Sequence, residues 1–400
     1  MKKIFLFSAA VIAAFLLSNC SNEKVHKALI VTGQNNHNWQ ASSPVLKQIL
    51  EETGMFTAEI VTTPEKGGDM STFKPDFSKY KLVILDYTGD SWPEETNKAF
   101  VDYVNNGGGV VVYHFACSAF PGWKEYNEMI GLGGWGNRSE KDGPYVYYSR
   151  DKLIIDTAAG KAGSHGKSRE FMVRGRDLEH PIMKGLPARW MHANDELYSE
   201  LRGPAKNLQI LATAFADSTK GGGTMRDEPV LMAITYGKGR IFHTALGHAE
   251  EGGGPAMQSV GFIVTLQRGA EWAVTGTVTQ SLPADFPTSA GIVLRTNYKP
   301  MSLEEAYEEL AQYDIGKSTK CLTLLQSHIK ELNGNSSALL EVEKKLVEIL
   351  KSPVASVEGK KLIIRELSWM GTDYSIPALK ESGSIADLKD EAEFALARLQ

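Results

Sequence analysis

Cysteine is scarce, with three residues in a chain of 400, at positions 20, 117 and 321. That number and spacing exclude a disulfide framework, so the fold has to rest on an ordinary apolar core. An excess of positive charge is also missing. The 43 Lys and Arg face 48 Asp and Glu, for a formal net charge of -5, and no cationic cluster marks a nucleic-acid footprint. After the first twenty residues, no apolar run approaches the ~20 residues a spanning helix needs.

What is present begins at the N-terminus. Met1-Lys2-Lys3 is cationic, residues 4–17 are apolar apart from Ser8, and Leu17-Ser18-Asn19-Cys20 leads into a polar stretch. Charge, apolar segment and short cut-site residues form the order of a secretory signal peptide. The segment is short for an uncleaved anchor helix, the alternative. Residues 17–20 resemble the lipobox of bacterial lipoproteins, although Asn19 is bulkier than the usual Gly or Ala. The expectation is a signal peptide over 1–20 and an exported chain. Lipid on Cys20 would hold it at a membrane, facing the periplasm or the cell surface.

About 380 residues remain, more than the ~250–300 over which one core usually extends. Short apolar runs at 28–32, 58–62, 82–86 and 110–114 alternate with helical stretches, one starting at Ser43-Pro44 and one at Pro93. Residues 144–211 are less regular and read as insertions. A hairpin follows over 230–245, then a helix over about 257–274 closing at Gly276. This pattern predicts an α/β domain over 25–276 with a doubly wound, mostly parallel sheet. Pro283, Pro287 and Pro300 mark 277–300 as a linker. Residues 301–400 read as helices joined by short links, resembling a HEAT-type stack without a strict period.

Ligands of such sheets bind beyond the carboxyl ends of the strands, and several histidines fall there. Gly33 with His37-Asn38-Trp39, His114-Phe115-Ala116 with Trp123, Gly134-Trp135-Gly136, Asp195-Glu196-Leu197-Tyr198 and the run from Gly239-Arg240 through His243 to Gly247-His248 form a set. Together with Arg268-Gly269-Ala270-Glu271-Trp272-Ala273, they resemble the trehalose-utilisation (ThuA-like) family. The resemblance implies a fold like that of class I glutamine amidotransferases, flavodoxin-like in outline. It also implies a setting in sugar metabolism that passes through 3-keto sugars.

The amidotransferase likeness raises Cys117 as a nucleophile. A nucleophile elbow needs small residues two positions to either side, and here these are Phe115 and Ala119. Cys117 therefore reads as a buried thiol. Acid–base chemistry remains, on a small glycoside or keto-sugar by hydrolysis, elimination or isomerisation. His37, His114 and His248 suit the base, since imidazole titrates near working pH. Asp195 or Glu196 would orient a histidine, accept a sugar hydroxyl or share a divalent metal such as zinc, for which His114, His192 and His248 are candidate ligands. Asn36, Trp39, Trp123, Trp135, His192 and Tyr198 are candidate substrate contacts, although core packing explains the indoles nearly as well. His243 reads as a core imidazole, His180 as structural, and His165 as part of a mobile-looking segment. The expected partners are a small carbohydrate, the membrane through the lipid anchor, and a protein for the helical module. The alternative is a non-catalytic carbohydrate-binding or scaffolding lipoprotein.

Overall fold

The computed structural model describes residues 25–250, 253–299, 301–317 and 319–399. The expected signal peptide and Cys20 lie outside the described residues. Five strands carry the site: β1 (His26–Thr32), β2 (Phe56–Thr62), β3 (Leu82–Leu85), β4 (Gly109–Tyr113) and, much later, β13 (Gly239–Thr244). They pair in parallel in the order β2-β1-β3-β4-β13. The runs of β1, β3 and β4 are continuously apolar because helices cover both faces, whereas the edge strand β2 is largely exposed. Ile30, Leu82, Ile84 and Val111 point to α1 (Trp39–Glu51) and to α5 (Val260–Thr275), which follows the short α4 (Gly254–Gln258). Val31, Val83, Val110 and Val112 point to α2 (Glu94–Asn105) and α3 (Lys124–Ile130) on the other side. This is a doubly wound α/β fold.

The stretch 144–215 supplies strands rather than irregular insertions. β5 (Tyr145–Ser149) and β6 (Lys152–Asp156) form a hairpin. β7 (Ser164–His165) pairs with β10 (Tyr198–Ser199) as a small two-stranded ladder. β8 (Arg169–Gly175), β9 (Arg189–Asp195), β11 (Leu208–Phe215) and β12 (Asp227–Tyr236) extend the main sheet antiparallel beyond β13. The sheet is thus mixed, with its parallel part gathered where the site lies.

Two helix boundaries differ from expectation for local reasons. α1 starts earlier than Ser43-Pro44, because the Asn38 side chain accepts from Ala41 N and caps it, leaving Pro44 inside the helix. The single helix expected over about 257–274 is broken at Ser259, whose extended backbone separates α4 from α5. α5 sits so close to β13 that a Cβ on Gly269 would meet the Phe242 ring, which requires glycine at that crossing.

Residues 277–299, expected as a linker, pack on the α/β unit. Phe286 and Tyr298 are buried, and Thr288 O accepts from Met191 N at 2.8 Å. The first compact unit therefore extends to Lys299. The second contains α6 (Leu303–Ala311), α7 (Lys320–Glu331), α8 (Ser336–Lys351), α9 (Val357–Met370), α10 (Ile376–Ser382) and α11 (Lys389–Leu399). These helices share a core of their own around Leu310, Leu346, Ile363, Leu367 and Leu379. Among the described residues, no helix is long and apolar enough to cross a membrane.

Candidate metal centre

Four side chains from separate segments converge at the carboxyl edge of the parallel strands. His37 comes from the loop after β1, His114 directly follows β4, Glu196 follows β9, and His248 lies on the loop after β13. One ligating atom from each falls within 4.8 Å of the others. Strand order reverses between β1 and β3, the place where open α/β sheets leave a crevice.

Each position has a local cause. The His37 loop is held by Asn35, whose Oδ1 accepts from His37 N at 3.1 Å and whose Nδ2 donates to Asp86 Oδ1 at 3.0 Å. Asp86 lies at the end of β3 and also accepts from Ser42 Oγ at 2.5 Å. Its complete burial pushes the carboxyl up to about 7, although the serines and Asn35 pull it down. His114 sits on a sharp strand-to-3-10-helix turn in the left-handed region, with φ 45°, a backbone state uncommon outside glycine. This strained turn presents an imidazole; Cys117, three residues on, is fully buried and its thiol is pushed up to about 12 by desolvation. His114 Nδ1 is 2.8 Å from Ala245 O, which can only accept, so Nδ1 carries the proton and Nε2 faces the cluster.

Asp195 ties the remaining two donors together. Its carboxylate accepts from Glu196 N at 2.7 Å, Gly247 N at 2.8 Å, His248 N at 3.1 Å and His192 Nε2 at 2.7 Å. Burial opposes the Asp195 charge, but His192 foremost, with His114 and Gly247 N, holds the carboxyl below its usual range. Asp195 and His192 thus act beneath the cluster, setting the backbone that carries Glu196 and His248. His192 is fully buried and is not one of the four converging donors, which replaces the expected ligand set of His114, His192 and His248.

The donors perturb one another strongly. Burial, then the charges of His114 and His248, lowers His37 to about 3, so it is neutral at pH 7. Burial would raise Glu196, yet its interactions with His114 and His248 outweigh this and hold the carboxyl well below the usual range. Burial would lower His248, and Glu196 overrides it, raising the imidazole. Glu196 Oε2 and His248 Nδ1 lie 3.2 Å apart, but both are buried without a hydrogen bond of proper geometry. Two orphaned polar atoms facing each other, in a set of three imidazoles and one carboxylate, fit a divalent cation of the zinc class.

Tyr198 spans the cluster, its hydroxyl 3.0 Å from His37 Nε2 and 2.8 Å from His114 Nε2. Trp135 packs on Tyr198 with ring centroids 4.7 Å apart, and Phe115 packs on His37 at 4.8 Å, forming an aromatic wall. Trp123 is elsewhere, in the aromatic core with Trp92, Phe100, Phe120 and Tyr126. Trp39 is half-buried at the start of α1, and Asn36 is exposed on the His37 loop. His243 Nδ1 donates to Ile130 O at 2.8 Å and the ring is lowered to about 4 by burial, a core imidazole.

Sequence reasoning missed His165. It lies on β7 opposite Tyr198, its Nδ1 is 3.7 Å from Glu196 Oε1, and its side chain is 39 % exposed against 1 % for His114 and 16 % for His248. The Asp86 carboxylate was also passed over, although it ends an apolar run at the carboxyl edge of a strand.

The family model "ThuA: Trehalose utilisation" matches residues 27–273. The chain belongs to the ThuA family. A solved ThuA-like protein from Parabacteroides merdae is 54% identical, with a TM-score of 0.67, covering 69% of this chain and all of that one. A ThuA-like protein from Bacteroides uniformis is 18% identical over 66% of this chain and 96% of that chain, with a TM-score of 0.41. No curated protein matches. ThuA membership places the chain in a family tied to carbohydrate use.

Proposed function

We propose that this ThuA-family chain is an exported, lipid-anchored enzyme of carbohydrate metabolism. Its substrate is a small glycoside or keto-sugar, and the chemistry is acid–base, assisted by a divalent metal. The observation that carries the reading is the convergence of His37, His114, Glu196 and His248 within 4.8 Å. When bound there, the metal supplies Lewis-acid polarisation of a sugar oxygen. His114 keeps its ring fixed through Ala245 O, and Asp195 fixes the backbone of Glu196 and His248. A 3-keto sugar has acidified protons beside its carbonyl, and removing one requires a neutral base near the substrate. The partly exposed Trp135 ring offers an apolar face suited to a pyranose.

Metal analysis of the purified protein tests the site, with one equivalent of zinc or a similar ion expected. Turnover of 3-keto-disaccharides by wild type and by His114→Ala tests the chemistry; a metal-free, inactive wild type sinks it. Cys20→Ser should move the protein from the membrane fraction to the soluble one. We read the helical unit as a HEAT-like surface for a protein partner. The second reading, a non-catalytic carbohydrate-binding lipoprotein, rests on the helical unit and the expected lipid anchor. Calorimetry would then show sugar binding without product.

A further inference from the structure

The β5–β6 hairpin leaves one strand edge open. Among the described residues β6 pairs only with β5, and its sequence is Lys152-Leu153-Ile154-Ile155-Asp156. Leu153 is 48% exposed and Ile155 64%, an apolar pair on one face of an edge strand. An open edge of this kind invites a further strand.

We propose that β6 is the contact strand of a symmetric dimer, pairing antiparallel with β6 of a second copy about Ile154. Register parity supports the choice. Ser149 faces Lys152 across a turn made of Arg150 and Asp151, with φ 46° and 63°, the signature of a two-residue primed turn. Such a turn closes on a hydrogen-bonded pair, and the pattern then alternates along the ladder. The main-chain groups of Lys152, Ile154 and Asp156 therefore face β5, and those of Leu153 and Ile155 face the open edge. A two-fold axis at Ile154 sets Leu153 against Ile155 of the second copy, and the reverse, adding about four main-chain hydrogen bonds.

The same register decides the charges. It places Lys152 opposite Asp156 of the second copy, twice, in non-hydrogen-bonded pairs where facing side chains come closest. Moving the axis to Leu153 or Ile155 would set Lys152 or Asp156 against Ile154. A lysine on an edge strand ordinarily repels a second copy. Here the opposite charge at the mirrored position turns that guard into a match. Asp156 has capacity for it, since its Oδ2 has only a 3.3 Å bond from Tyr147 and a 3.7 Å approach from Arg226. One five-residue strand buries less than a stable interface needs, so association should be weak, with Kd of about 10 µM–1 mM.

Sedimentation of the purified full chain across that range tests the proposal. Wild type should self-associate. Lys152→Glu should weaken the dimer at least tenfold, and so should Leu153→Pro, which removes an N–H that the hairpin does not use. Lys152→Glu mixed with Asp156→Lys should form a heterodimer, while each alone repels itself. Unchanged thermal unfolding of the variants verifies the fold. The proposal is overturned by a wild type that stays monomeric up to 1 mM, by a dimer indifferent to both Lys152→Glu and Leu153→Pro, or by folded charge variants that fail to pair.

Discussion

Two buried glutamates separate the two units of this molecule. Glu343, in the helical unit, is 1% exposed and accepts from Thr372 N at 2.7 Å, from Thr372 Oγ1 at 2.9 Å and from Ser375 Oγ. Its neighbours satisfy it, and its carboxyl oxygens secure the turn after α9. Glu196, in the α/β unit, has one oxygen without a hydrogen bond and faces three imidazoles. A buried polar group that the fold itself satisfies belongs to the fold. One left facing other unsatisfied donors marks a place where something else completes the set.

The contrast is broken most directly by removing a donor. His248→Ala or Glu196→Gln should eliminate bound metal and lower turnover more than about a thousandfold, with the fold retained, as read by metal analysis and kinetics. Full metal content in Glu196→Gln would return Glu196 to the class of Glu343. His165→Ala should behave differently, because His165 stands outside the four donors and is open to solvent. Metal should stay, turnover should fall about a hundredfold, and added imidazole should restore part of it. Loss of metal in that variant would make His165 a ligand instead.

How much of this could be read in the sequence follows from the kind of contact involved. Runs such as 82–85 and 110–113 announced themselves because helices on both faces leave no polar position in the strand. His37, His114 and His248 were accessible for a related reason: each lies just beyond the end of a strand, and ligands collect at that edge. α9 (Val357–Met370) was equally plain, an amphipathic stretch with a Ser356 cap. His165 was not accessible. β7 has only two residues and no periodicity, and it reaches the site by pairing with Tyr198, distant in sequence. His192 was grouped with Asp195 and Glu196 because the three stand close together in one short polar stretch. The strand β9 turns Asp195 inward, onto His192 and the loop amides, and Glu196 out to the cluster. Pro44 misled similarly, since a helix-start signature lay inside a helix already capped by Asn38.

A smaller effect comes from pH. His248 is raised above the usual imidazole value of 6.5, and must lose its proton to bind a cation. Metal affinity should therefore rise about tenfold per pH unit below that raised value and level off above it. The metal-free chain should behave in the opposite sense. The His248 contribution to stability is complete below 6.5 and is lost as pH rises through the raised value. The Glu196 contribution is complete above 4.5 and is lost as pH falls through its depressed value. Stability from this pair should thus peak between about 4.5 and 6.5, where metal binds weakly; chelated protein followed by thermal melts across pH checks it.

The smallest effect on the site should come from Glu343→Gln. The amide keeps one acceptor oxygen but turns an NH2 toward donors at Thr372 or Ser375, so a buried mismatch replaces a satisfied carboxylate. The helical unit should lose about 1–3 kcal/mol, seen as a fall of about 5 °C or more in its thermal transition. Metal content and turnover should not change, because Glu343 contributes no atom to the four-donor cluster. If metal content fell with Glu343→Gln, satisfaction within the fold would no longer distinguish a structural carboxylate from a ligand. Only the convergence of the imidazoles would then mark Glu196 as a ligand.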